Sequence, residues 1–487
     1  MVAELLGEDD IECVVWGIWD DWTACVIMED QMKVDVIVIG TGQAGVPLAA
    51  RLAESGKEVI IVEAGLVGGT CVNVGCTPTK TMVASARAAH VARGAARLGV
   101  GVGAVKVDLR AIVDRKDDIV RRWREGVGRR LESAGERLKL IEGRARFSGA
   151  REIQANGRRY SADTVIVNVG ARPRVPPVRG LDEIDWLDSS GVMELREVPD
   201  HLVIVGGGYV ACEFGQMFRR FGSGVTIMQR TGNLLPREDV EVSDAIEQVF
   251  RSEGIEVVTG AEVVEVAESE GELVVRCGGG QEARGSHLLL AVGRVPNTGD
   301  LGCDVGGIEL DGGGFIQVDD SYGTSAEGVY AVGDCNGGPQ FTHNSWDDHR
   351  ILYDILMGRR EGGRSGRITP STVFTDPQVA RAGLSEREAQ ARGVEYEVAT
   401  MPFGDIARAI ELDETAGVMK VLIDPETERV LGASVVGYEA GELIHSFLML
   451  MMAGAPARAM VDAQMVHPAL AEGLQALVMK LDRYRLK

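Results

Sequence analysis

A strand that runs into a glycine-rich turn and then a helix occurs twice in this chain, and this repeat constrains the fold more than any other feature. The first copy has an apolar run at residues 34–39, then Gly40-Thr41-Gly42-Gln43-Ala44-Gly45, then a helix-like segment at 46–55. This is the GxGxxG pattern in the context that dinucleotide binding requires. Gly40 permits the tight turn, Gly42 lets the backbone approach a pyrophosphate, and Gly45 lets the helix pack closely. The alternative is a glycine-rich turn that binds no ligand.

A carboxylate follows this first copy at the expected distance. The next predicted strand, residues 58–62, leads into Glu63. An acid about 20 residues after the glycines can accept hydrogen bonds from ribose hydroxyls. The pair of signals therefore favours a dinucleotide site.

The second copy begins about 165 residues later. A strand at 201–205 enters Gly206-Gly207-Gly208-Tyr209-Val210-Ala211, followed by a helix to residue 221 and a strand at 224–228. An internal repeat of such a unit predicts that one chain binds two nucleotides.

The second copy differs from the first at the ribose-binding position. Gln229 replaces the acid, and Arg230 follows it, with Arg237 further on. Loss of the acid removes repulsion of a 2′-phosphate and arginine adds attraction, so NADPH is favoured, with NADH possible. The alternative is that these arginines are ordinary surface residues.

Two cysteines five positions apart lie between the copies, in Gly68-Gly69-Thr70-Cys71-Val72-Asn73-Val74-Gly75-Cys76-Thr77-Pro78-Thr79-Lys80. Five residues of regular helix rise about 7.5 Å, whereas bridged cysteines need Cα atoms within about 7 Å. If these two were bridged, the backbone between them would have to depart from helix, and Gly75 would permit this. The alternatives are inert buried cysteines or half a zinc site. Since no other cysteines form a close second pair, the pattern favours redox chemistry, and no metal site is predicted.

Composition excludes several classes of function. The 487 residues suggest about three domains, and a net charge of -22 with a pI near 4.9 disfavours nucleic acid as a partner. No apolar run of about 18 residues predicts a membrane span. Eight scattered cysteines are no disulfide scaffold, which favours a reducing compartment such as the cytoplasm.

The first 32 residues contain no lysine or arginine, carry many acids, and place Trp16, Trp19 and Trp22 at three-residue spacing. They fit neither a secretory signal nor a transit peptide. Two interpretations stay open. Either this is an acidic extension that lies on the body, or the start was assigned upstream of a true start at Met32.

Three further predicted strands end in glycine: residues 164–169 before Gly170, residues 286–291 before Gly293, and residues 328–332 before Gly333 and Asp334. The first looks like a strand that returns the chain to the nucleotide site. A carboxylate at Asp334 could accept hydrogen bonds from a flavin's ribityl chain, and its alternative role is a helix cap.

The remainder of the chain has no glycine fingerprint. From residue 368, predicted strands alternate with helices, which indicates a mixed α+β domain. Near its end, His467 precedes Pro468, which is predicted to start a helix with Glu472 one turn in. His467 could be a base that Glu472 orients; the alternatives are a surface histidine and a first-turn helix acid.

Together these segments resemble the class I pyridine nucleotide-disulfide oxidoreductases, which include glutathione reductase, dihydrolipoamide dehydrogenase and mercuric reductase. The resemblance covers residues 33–487, and its motifs occur in the family's order: the first GxGxxG, GGTCVNVGC, GGGYVACE, GRVPNT, YAVGD and HPALAE.

The resemblance implies an α/β fold with two Rossmann-like dinucleotide-binding domains, for FAD and NAD(P), and a C-terminal α+β dimerisation domain. The implied division is residues 1–32 as the acidic extension, 33–185 and 317–365 as the two parts of the FAD-binding domain, 186–316 as the NAD(P)-binding domain, and 366–487 as the dimerisation domain.

The resemblance also implies roles for individual residues. Cys71 and Cys76 would form the redox-active disulfide, with Cys76 nearer the flavin and Cys71 attacking the substrate. His467 and Glu472 would serve the cysteines of the other subunit in a homodimer. Arg294 would be structural. The implied contacts to FAD and the nicotinamide nucleotide are Gly40, Gly42, Gly45, Glu63, Thr70, Lys80, Gly170, Asp334, Thr342, Gly206, Gly208, Arg230 and Gly293.

Departures from the family patterns limit the choice of substrate, which the resemblance implies is a small-molecule disulfide or a metal–thiolate. Mercuric reductases typically end in vicinal cysteines, whereas this sequence has no cysteine after Cys335. Dihydrolipoamide dehydrogenases usually have an acid where Gln229 stands and a glycine where Ala211 stands. The segment 339–348 resembles a mercuric-reductase-like subgroup associated with oxidant or copper stress. Three rival functions stay open: a flavin reductase or oxidase that does not use the dithiol, a subunit of a 2-oxo acid dehydrogenase complex, and a redox-sensing flavoprotein.

Overall fold

The computed structural model describes residues 31–484, so the predictions for residues 1–30 lie outside the described part of the chain. Within it the chain forms three units. We call them the first unit, the second unit and the C-terminal unit.

The first unit is an α/β layer structure. Its elements before the chain leaves it are β1 (Gln31–Ile39), α1 (Gly45–Glu54), β2 (Val59–Glu63), α2 (Gly69–Asn73), α3 (Cys76–Gly94), α4 (Leu109–Ser133), β3 (Leu138–Glu142), β4 (Arg146–Gly149), β5 (Glu152–Ala155), β6 (Arg158–Val167) and β7 (Ala171–Pro173).

The second unit repeats this architecture on a smaller scale. Its elements are β8 (His201–Val205), α5 (Tyr209–Phe221), β9 (Gly224–Gln229), α6 (Val240–Ser252), β10 (Glu256–Thr259), β11 (Val263–Ser269), β12 (Glu272–Cys277), β13 (Glu282–Gly285), β14 (His287–Leu290) and β15 (Arg294–Pro296). The chain then returns to the first unit with β16 (Val329–Ala331) and α7 (Thr342–Leu356).

The C-terminal unit follows an irregular connection. It consists of β17 (Ser371–Val373), β18 (Gln378–Gly383), α8 (Glu386–Ala391), β19 (Glu397–Pro402), α9 (Ala407–Leu412), β20 (Val418–Ile423), β21 (Val430–Gly437), α10 (Ala440–Ala453), α11 (Arg458–Val461) and α12 (Glu472–Met479). Short 3₁₀ turns lie at 95–98, 191–194, 333–336, 403–405 and 482–484.

The two nucleotide-type sheets share one design. In the first unit the strand order is β3-β2-β1-β6-β5-β4, with β16 also pairing β6; β1, β2, β3, β6 and β16 run parallel. In the second unit β10-β9-β8-β14 are all parallel. Parallel strands covered on both faces are apolar throughout. Accordingly, Ile37, Val38, Ile60 and Ile61 are fully buried.

Antiparallel pairing completes the structure. β11-β12-β13 form a small sheet on the second unit, and β17-β18-β21-β20-β19 form the antiparallel sheet of the C-terminal unit. β7 pairs β15, where Arg172 lies opposite Val295. β7 is the last strand before the chain leaves the first unit, and β15 is the last strand before it leaves the second unit, so this pairing holds the two exit points together. The predicted fold class, two Rossmann-like domains and a C-terminal α+β domain, is confirmed.

One sequence prediction about local structure is wrong. Pro468 does not start a helix, because residues 467–469 are bends and irregular backbone, residues 470–471 form a turn, and α12 begins only at Glu472. A proline disfavours helical backbone in the residue before it, which helps to keep His467 out of the helix. Over residues 31–484, no helix combines the length and apolarity needed to cross a membrane.

Candidate active site

The first glycine fingerprint forms a cradle that side chains would fill. Gly40 has φ +107°, and a Cβ there would lie 2.4 Å from the carbonyl oxygen of Asn168. A Cβ on Gly45 would lie 2.1 Å from the carbonyl oxygen of Gly40. The turn therefore accepts only glycine at these two positions, and it presents the N-terminus of α1 to a ligand.

Two polar residues complete this cradle. The Asn168 side chain accepts a hydrogen bond from the Gly45 N–H at 2.9 Å and donates one to the Val332 carbonyl at 3.0 Å. Glu63 Oε2 accepts a hydrogen bond from the Thr41 N–H at 2.9 Å. Asn168 was not predicted from sequence, although a buried polar residue directly after an apolar strand was a usable signal. The carboxylate of Glu63 lies beside the turn, as a ribose-binding role requires.

The second fingerprint reproduces the geometry of the first. Gly206 has φ +114°, and a Cβ there would lie 2.4 Å from the carbonyl oxygen of Ala291. Around Gly208 a Cβ would meet nothing within 4 Å, which leaves space for a ligand at the N-terminus of α5. Ala211, fully buried, takes the position that Gly45 has in the first copy. The repeat seen in the sequence is thus a structural repeat.

The ribose end of the second site contains no acid on the strand β9. Gln229 is buried and its amide donates a hydrogen bond to the Thr231 hydroxyl. Arg230 is exposed, and within residues 31–484 it has no ion-pair partner. Its guanidinium is therefore free to meet an anionic group.

The two cysteines lie on either side of a helix break. Cys71 is in α2, which ends at Asn73, and Cys76 is the first residue of α3. A Cβ on Gly75 would lie 2.8 Å from the Thr70 carbonyl oxygen and 3.1 Å from the Cys71 Cα atom. The departure from helix that a Cys71–Cys76 bridge would require is present, and the close contacts around Gly75 favour glycine there. Both cysteines carry free thiols in the structure.

The environment makes the two thiols unequal. A hydrogen bond from Cys71 lowers the pKa of Cys76 to about 6, with further stabilisation of its thiolate by the Thr342 hydroxyl and the Lys80 ammonium, against the opposing effects of burial and Glu213. The same hydrogen bond, together with burial, raises the pKa of Cys71 far above that of an ordinary thiol. Cys76 therefore loses its proton first, and Cys71 keeps its proton unless a base removes it.

A partly buried ion pair lies one helical turn from Cys76. Lys80 Nζ lies 2.7 Å from Glu213 Oε2, and the Glu213 side chain is only 7% exposed. Lys80 was predicted as a FAD contact, whereas Glu213 was not singled out in the sequence. Its helix position in GGGYVACE is ordinary, and only the tertiary structure brings α3 and α5 together. The pair places a cation beside the thiol that forms the thiolate.

One cavity of about 2020 Å³ brings many of the predicted site residues together. Ten of them line it: Gly40, Gly42, Glu63, Thr70, Cys71, Cys76, Lys80, Gly170, Asp334 and Thr342. This volume exceeds the range of about 300–1,000 Å³ that is typical of single-ligand pockets. It is large enough for an extended dinucleotide together with a substrate.

Other predicted residues lie outside this cavity. They are Gly45, Gly206, Gly208, Arg230, Gly293, His467 and Glu472. Gly45 packs against the Gly40 carbonyl on the far side of the turn from the cavity. Gly206 and Gly208 belong to the second fingerprint, and Arg230 follows it. Gly293 has φ +107°, which glycine tolerates, and Arg294 beside it donates a hydrogen bond to the Ala171 carbonyl at the β7–β15 pairing.

Asp334 and Thr342 enter the cavity from the return segment. Asp334 lies in the first turn of the 3₁₀ helix 333–336 but does not cap it. Burial raises the pKa of Asp334, and the nearby Arg294 counteracts this effect. The Thr342 hydroxyl lies 3.1 Å from Cys76 Sγ.

His467 and Glu472 form a pair on the surface of the C-terminal unit. His467 Nδ1 lies 3.0 Å from Glu472 Oε2, and the His467 side chain is 71% exposed. The hydrogen bond to His467 lowers the pKa of Glu472. Within one chain this pair does not reach the cavity of the cysteines.

Both nucleotides fit the residues present. Both turns exclude a Cβ at their first glycine, Gly40 or Gly206, and each opens the N-terminus of a helix to a phosphate-bearing ligand. In the described part of the chain, no group of three or more His, Cys, Asp or Glu residues could hold a metal ion. The fold and site thus define a two-nucleotide, dithiol-bearing oxidoreductase.

Family models agree with this class. The model for pyridine nucleotide-disulphide oxidoreductases matches residues 34–348, and the model for the dimerisation domain of the same enzymes matches residues 369–478. The chain belongs to the pyridine nucleotide-disulphide oxidoreductase family. Its cofactors are accordingly FAD and a pyridine nucleotide, and its dimerisation domain supports a homodimer.

Relatives with different names have similar levels of identity. Mercuric reductase of Lysinibacillus sphaericus is 33% identical over 463 residues, which cover 94% of this chain and 84% of that protein. The probable pyridine nucleotide-disulfide oxidoreductase RclA of Escherichia coli is 34% identical over 91% of this chain and 98% of its own length. Dihydrolipoyl dehydrogenase of Thermus scotoductus is 36% identical, with coverages of 90% and 95%.

RclA has also been solved as a structure, described as an HOCl-induced flavoprotein disulfide reductase. It superposes with a TM-score of 0.84 at 33% identity and covers 92% of this chain and 99% of that chain. A Cu(II) complex of RclA superposes equally well. The chain is therefore a flavoprotein disulfide oxidoreductase, and the comparisons leave its substrate open.

Proposed function

We propose that this protein passes electrons from NADPH through FAD to a Cys71–Cys76 disulfide, and from there to a small disulfide or a thiol-bound metal ion. The observation that carries the proposal is the position of the two thiols. They lie on either side of the helix break at Gly75, and they line the same cavity as the first glycine fingerprint. Electrons leaving a flavin bound at that fingerprint would have a sulfur acceptor within the same cavity.

The FAD site would use the residues that form the first cradle. Gly40, Gly42 and the N-terminus of α1 would hold the pyrophosphate, Glu63 the ribose, and Asp334 the ribityl chain. Bound FAD would supply the redox chemistry that couples hydride transfer from the nicotinamide to reduction of the disulfide. Lys80, Gly170, Thr70 and Thr342 line the cavity where the ring system would lie.

The two cysteines would have separate tasks. Two electrons and two protons convert the disulfide to two thiols, and Cys76, with its lowered pKa, becomes the thiolate. Cys71 attacks one sulfur of the substrate disulfide, and that sulfur's partner leaves as a thiol. Cys76 then attacks Cys71, which restores the internal disulfide and releases the second thiol. The cycle oxidises one NADPH and produces two thiols.

Cys71 would need a base, since its thiol pKa is strongly raised. We assign this role to His467 of the partner subunit, oriented by Glu472 of the partner subunit. The imidazole would accept the Cys71 proton and return it to the departing thiol. The exposure of the His467 side chain in a single chain is consistent with a role at a subunit contact.

A metal–thiolate substrate is the second candidate, and the residues lining the cavity favour it. His343, His445, Met449 and Met452 all contribute to the lining, and Met449 and Met452 are 58% and 65% exposed. Thioether groups suit soft metal ions such as Cu(I), and imidazole suits copper and zinc ions. RclA, a relative of this chain, has been described as a Cu(II) complex, and other relatives are mercuric reductases. A dihydrolipoamide dehydrogenase role stays open through the relative of that name.

A working dithiol must be recycled, so we place the enzyme in a reducing compartment such as the cytoplasm. The division into domains at residues 185, 316 and 365 is likewise part of the proposal.

A substrate panel tests this function. Purified enzyme is given NADPH with glutathione disulfide, lipoamide, Hg(II)–thiolate or Cu(II), and dihydrolipoamide with NAD⁺ is measured in reverse. We expect one disulfide or metal–thiolate substrate to turn over in the wild type and not in Cys71→Ser. Equal physiological turnover in Cys71→Ser would support a flavin reductase or oxidase instead.

A further inference from the structure

A short strap of the C-terminal unit, residues 374–376, contacts both helices that carry the electron path. On α5 it meets three residues spaced along one helix face. Glu213 Oε1 accepts a hydrogen bond from the Phe374 N–H at 2.9 Å, Gln216 bonds both the N–H and the carbonyl of Asp376 at 2.7 Å, and Arg220 lies 2.7 Å from the Asp376 carboxylate. These spacings of three and four residues place the side chains on one stripe of α5.

On α3 the strap meets the helix that begins with Cys76. The Lys80 ammonium lies 4.8 Å from the centre of the Phe374 ring, and Arg87, two turns later, pairs with Asp376. The strap thus connects the helix that carries the thiol with the helix whose N-terminus forms the second nucleotide site.

Phe374 contributes to this arrangement in two ways. Its N–H holds one oxygen of the Glu213 carboxylate, while the other oxygen holds Lys80 at 2.7 Å. Its ring faces the same ammonium, and a cation near an aromatic face is attracted to it. Lys80 is 32% exposed, so the carboxylate alone leaves the ammonium an open side toward the cavity.

We propose that Phe374 is a positioning residue that fixes the Lys80–Glu213 ion pair beside Cys76. The Phe374 ring keeps the Lys80 ammonium next to the Cys76 thiol, and the Phe374 N–H holds the Glu213 carboxylate in place by its hydrogen bond. Without the ring, Lys80 reaches into the water of the cavity, where its field is more strongly screened. This inference rests on the proposed role of Cys76 as the thiolate of the reduced enzyme.

The test measures the pKa of Cys76 in the reduced holoenzyme. Alkylation of Cys76 by iodoacetamide is followed by peptide mass spectrometry across the pH range that brackets this pKa. Phe374→Leu and Phe374→Met keep the backbone N–H but remove the ring. In both we expect the pKa of Cys76 to rise by about 0.5 unit, so that alkylation below the pKa slows about threefold.

Two further variants separate positioning from packing. Phe374→Tyr keeps an aromatic face and should retain the wild-type pKa. Phe403→Leu removes a fully buried ring from the core of the same unit, away from Lys80, and should lower the melting temperature without moving the pKa.

Three outcomes would overturn the inference. An unchanged pKa in Phe374→Leu and Phe374→Met would show that the ring does not position Lys80. An equal rise of the Cys76 pKa in Phe403→Leu would show that the change comes from general destabilisation of the C-terminal unit. An ordinary thiol pKa for Cys76 in the wild type would instead remove the thiolate from the proposed function, and the inference would fall with it.

Discussion

The Sγ atom of Cys76 lies 3.1 Å from the Oγ1 atom of Thr342, although 266 residues separate them in the chain. Cys76 begins α3, next to the first fingerprint, and Thr342 begins α7, after the chain has passed through the entire second unit. The contact therefore depends on the return segment docking correctly. It also gives Thr342 a role at the thiol in addition to its predicted contact with FAD.

Removing this hydroxyl should weaken the Cys76 thiolate. Thr342→Val deletes a donor to the charged form, so the pKa of Cys76 should rise from about 6 by roughly 0.5–1 unit. In the wild type, Cys76 is mainly a thiolate at pH values above about 6 and mainly a protonated thiol below that pH. Alkylation should therefore slow near that pH in the variant and match the wild type well above it.

Thr342→Ser is the matched control, because it keeps the hydroxyl and loses only a methyl group. It should retain the wild-type alkylation profile. A Thr342→Val profile that coincides with the wild type would mean that this hydrogen bond does not stabilise the thiolate.

The Lys80–Glu213 pair should be more costly to break than to remove. Lys80→Met leaves a carboxylate that is 7% exposed without its cation, at a cost of about 1–3 kcal/mol in the free energy of unfolding. Lys80→Met combined with Glu213→Gln removes both charges and should recover most of that loss. Denaturation midpoints at saturating FAD measure both. A double variant less stable than Lys80→Met would contradict the coupling.

Subunit complementation tests the assignment of His467. Homodimers of Cys71→Ser and of His467→Gln should both fail to turn over substrate. A heterodimer of the two contains one complete site if the histidine acts across the interface, so it should regain about half of the wild-type activity per dimer. A heterodimer without activity would assign His467 to the cysteines of its own chain, and an active His467→Gln homodimer would show that His467 has no catalytic role.

Nucleotide preference should depend on Arg230. Arg230→Ala should lower kcat/KM for NADPH about 10–100-fold and leave that for NADH nearly unchanged, since only NADPH carries the 2′-phosphate. Steady-state kinetics with both nucleotides measures this, with Arg122→Ala, an exposed arginine on α4, as the control. Equal losses for both nucleotides would argue against a phosphate contact.

The sequence predicted what local patterns determine. Gly40 and Gly206 mark their turns because both have positive φ. A Cβ atom at either position would lie 2.4 Å from a backbone carbonyl oxygen. The spacing of the cysteines implied a helix break at Gly75 only if the two were bridged, and the structure has a break there. Apolar runs identified the buried parallel strands because both of their faces are covered.

Tertiary contacts were not predictable in this way. Glu213 and Phe374 meet Lys80 from positions 133 and 294 residues further along the chain, and neither has a local pattern that marks it. Asn168 lies in a strand motif that was recognised, but its hydrogen bond to Gly45 depends on the pairing of β6 with β1. The helix wrongly started at Pro468 shows that a proline before an apolar segment does not by itself fix a helix boundary.

An anaerobic titration of the purified yellow enzyme with NADPH, and separately with NADH, tests the central claim most directly. If electrons pass from the flavin to the Cys71–Cys76 pair, uptake of two electrons will produce the long-wavelength absorbance of a thiolate beside oxidised flavin, and NADPH will do so at lower concentration. Bleaching of the flavin at two electrons with no such band, in a protein whose two thiols remain reactive throughout, would contradict the account.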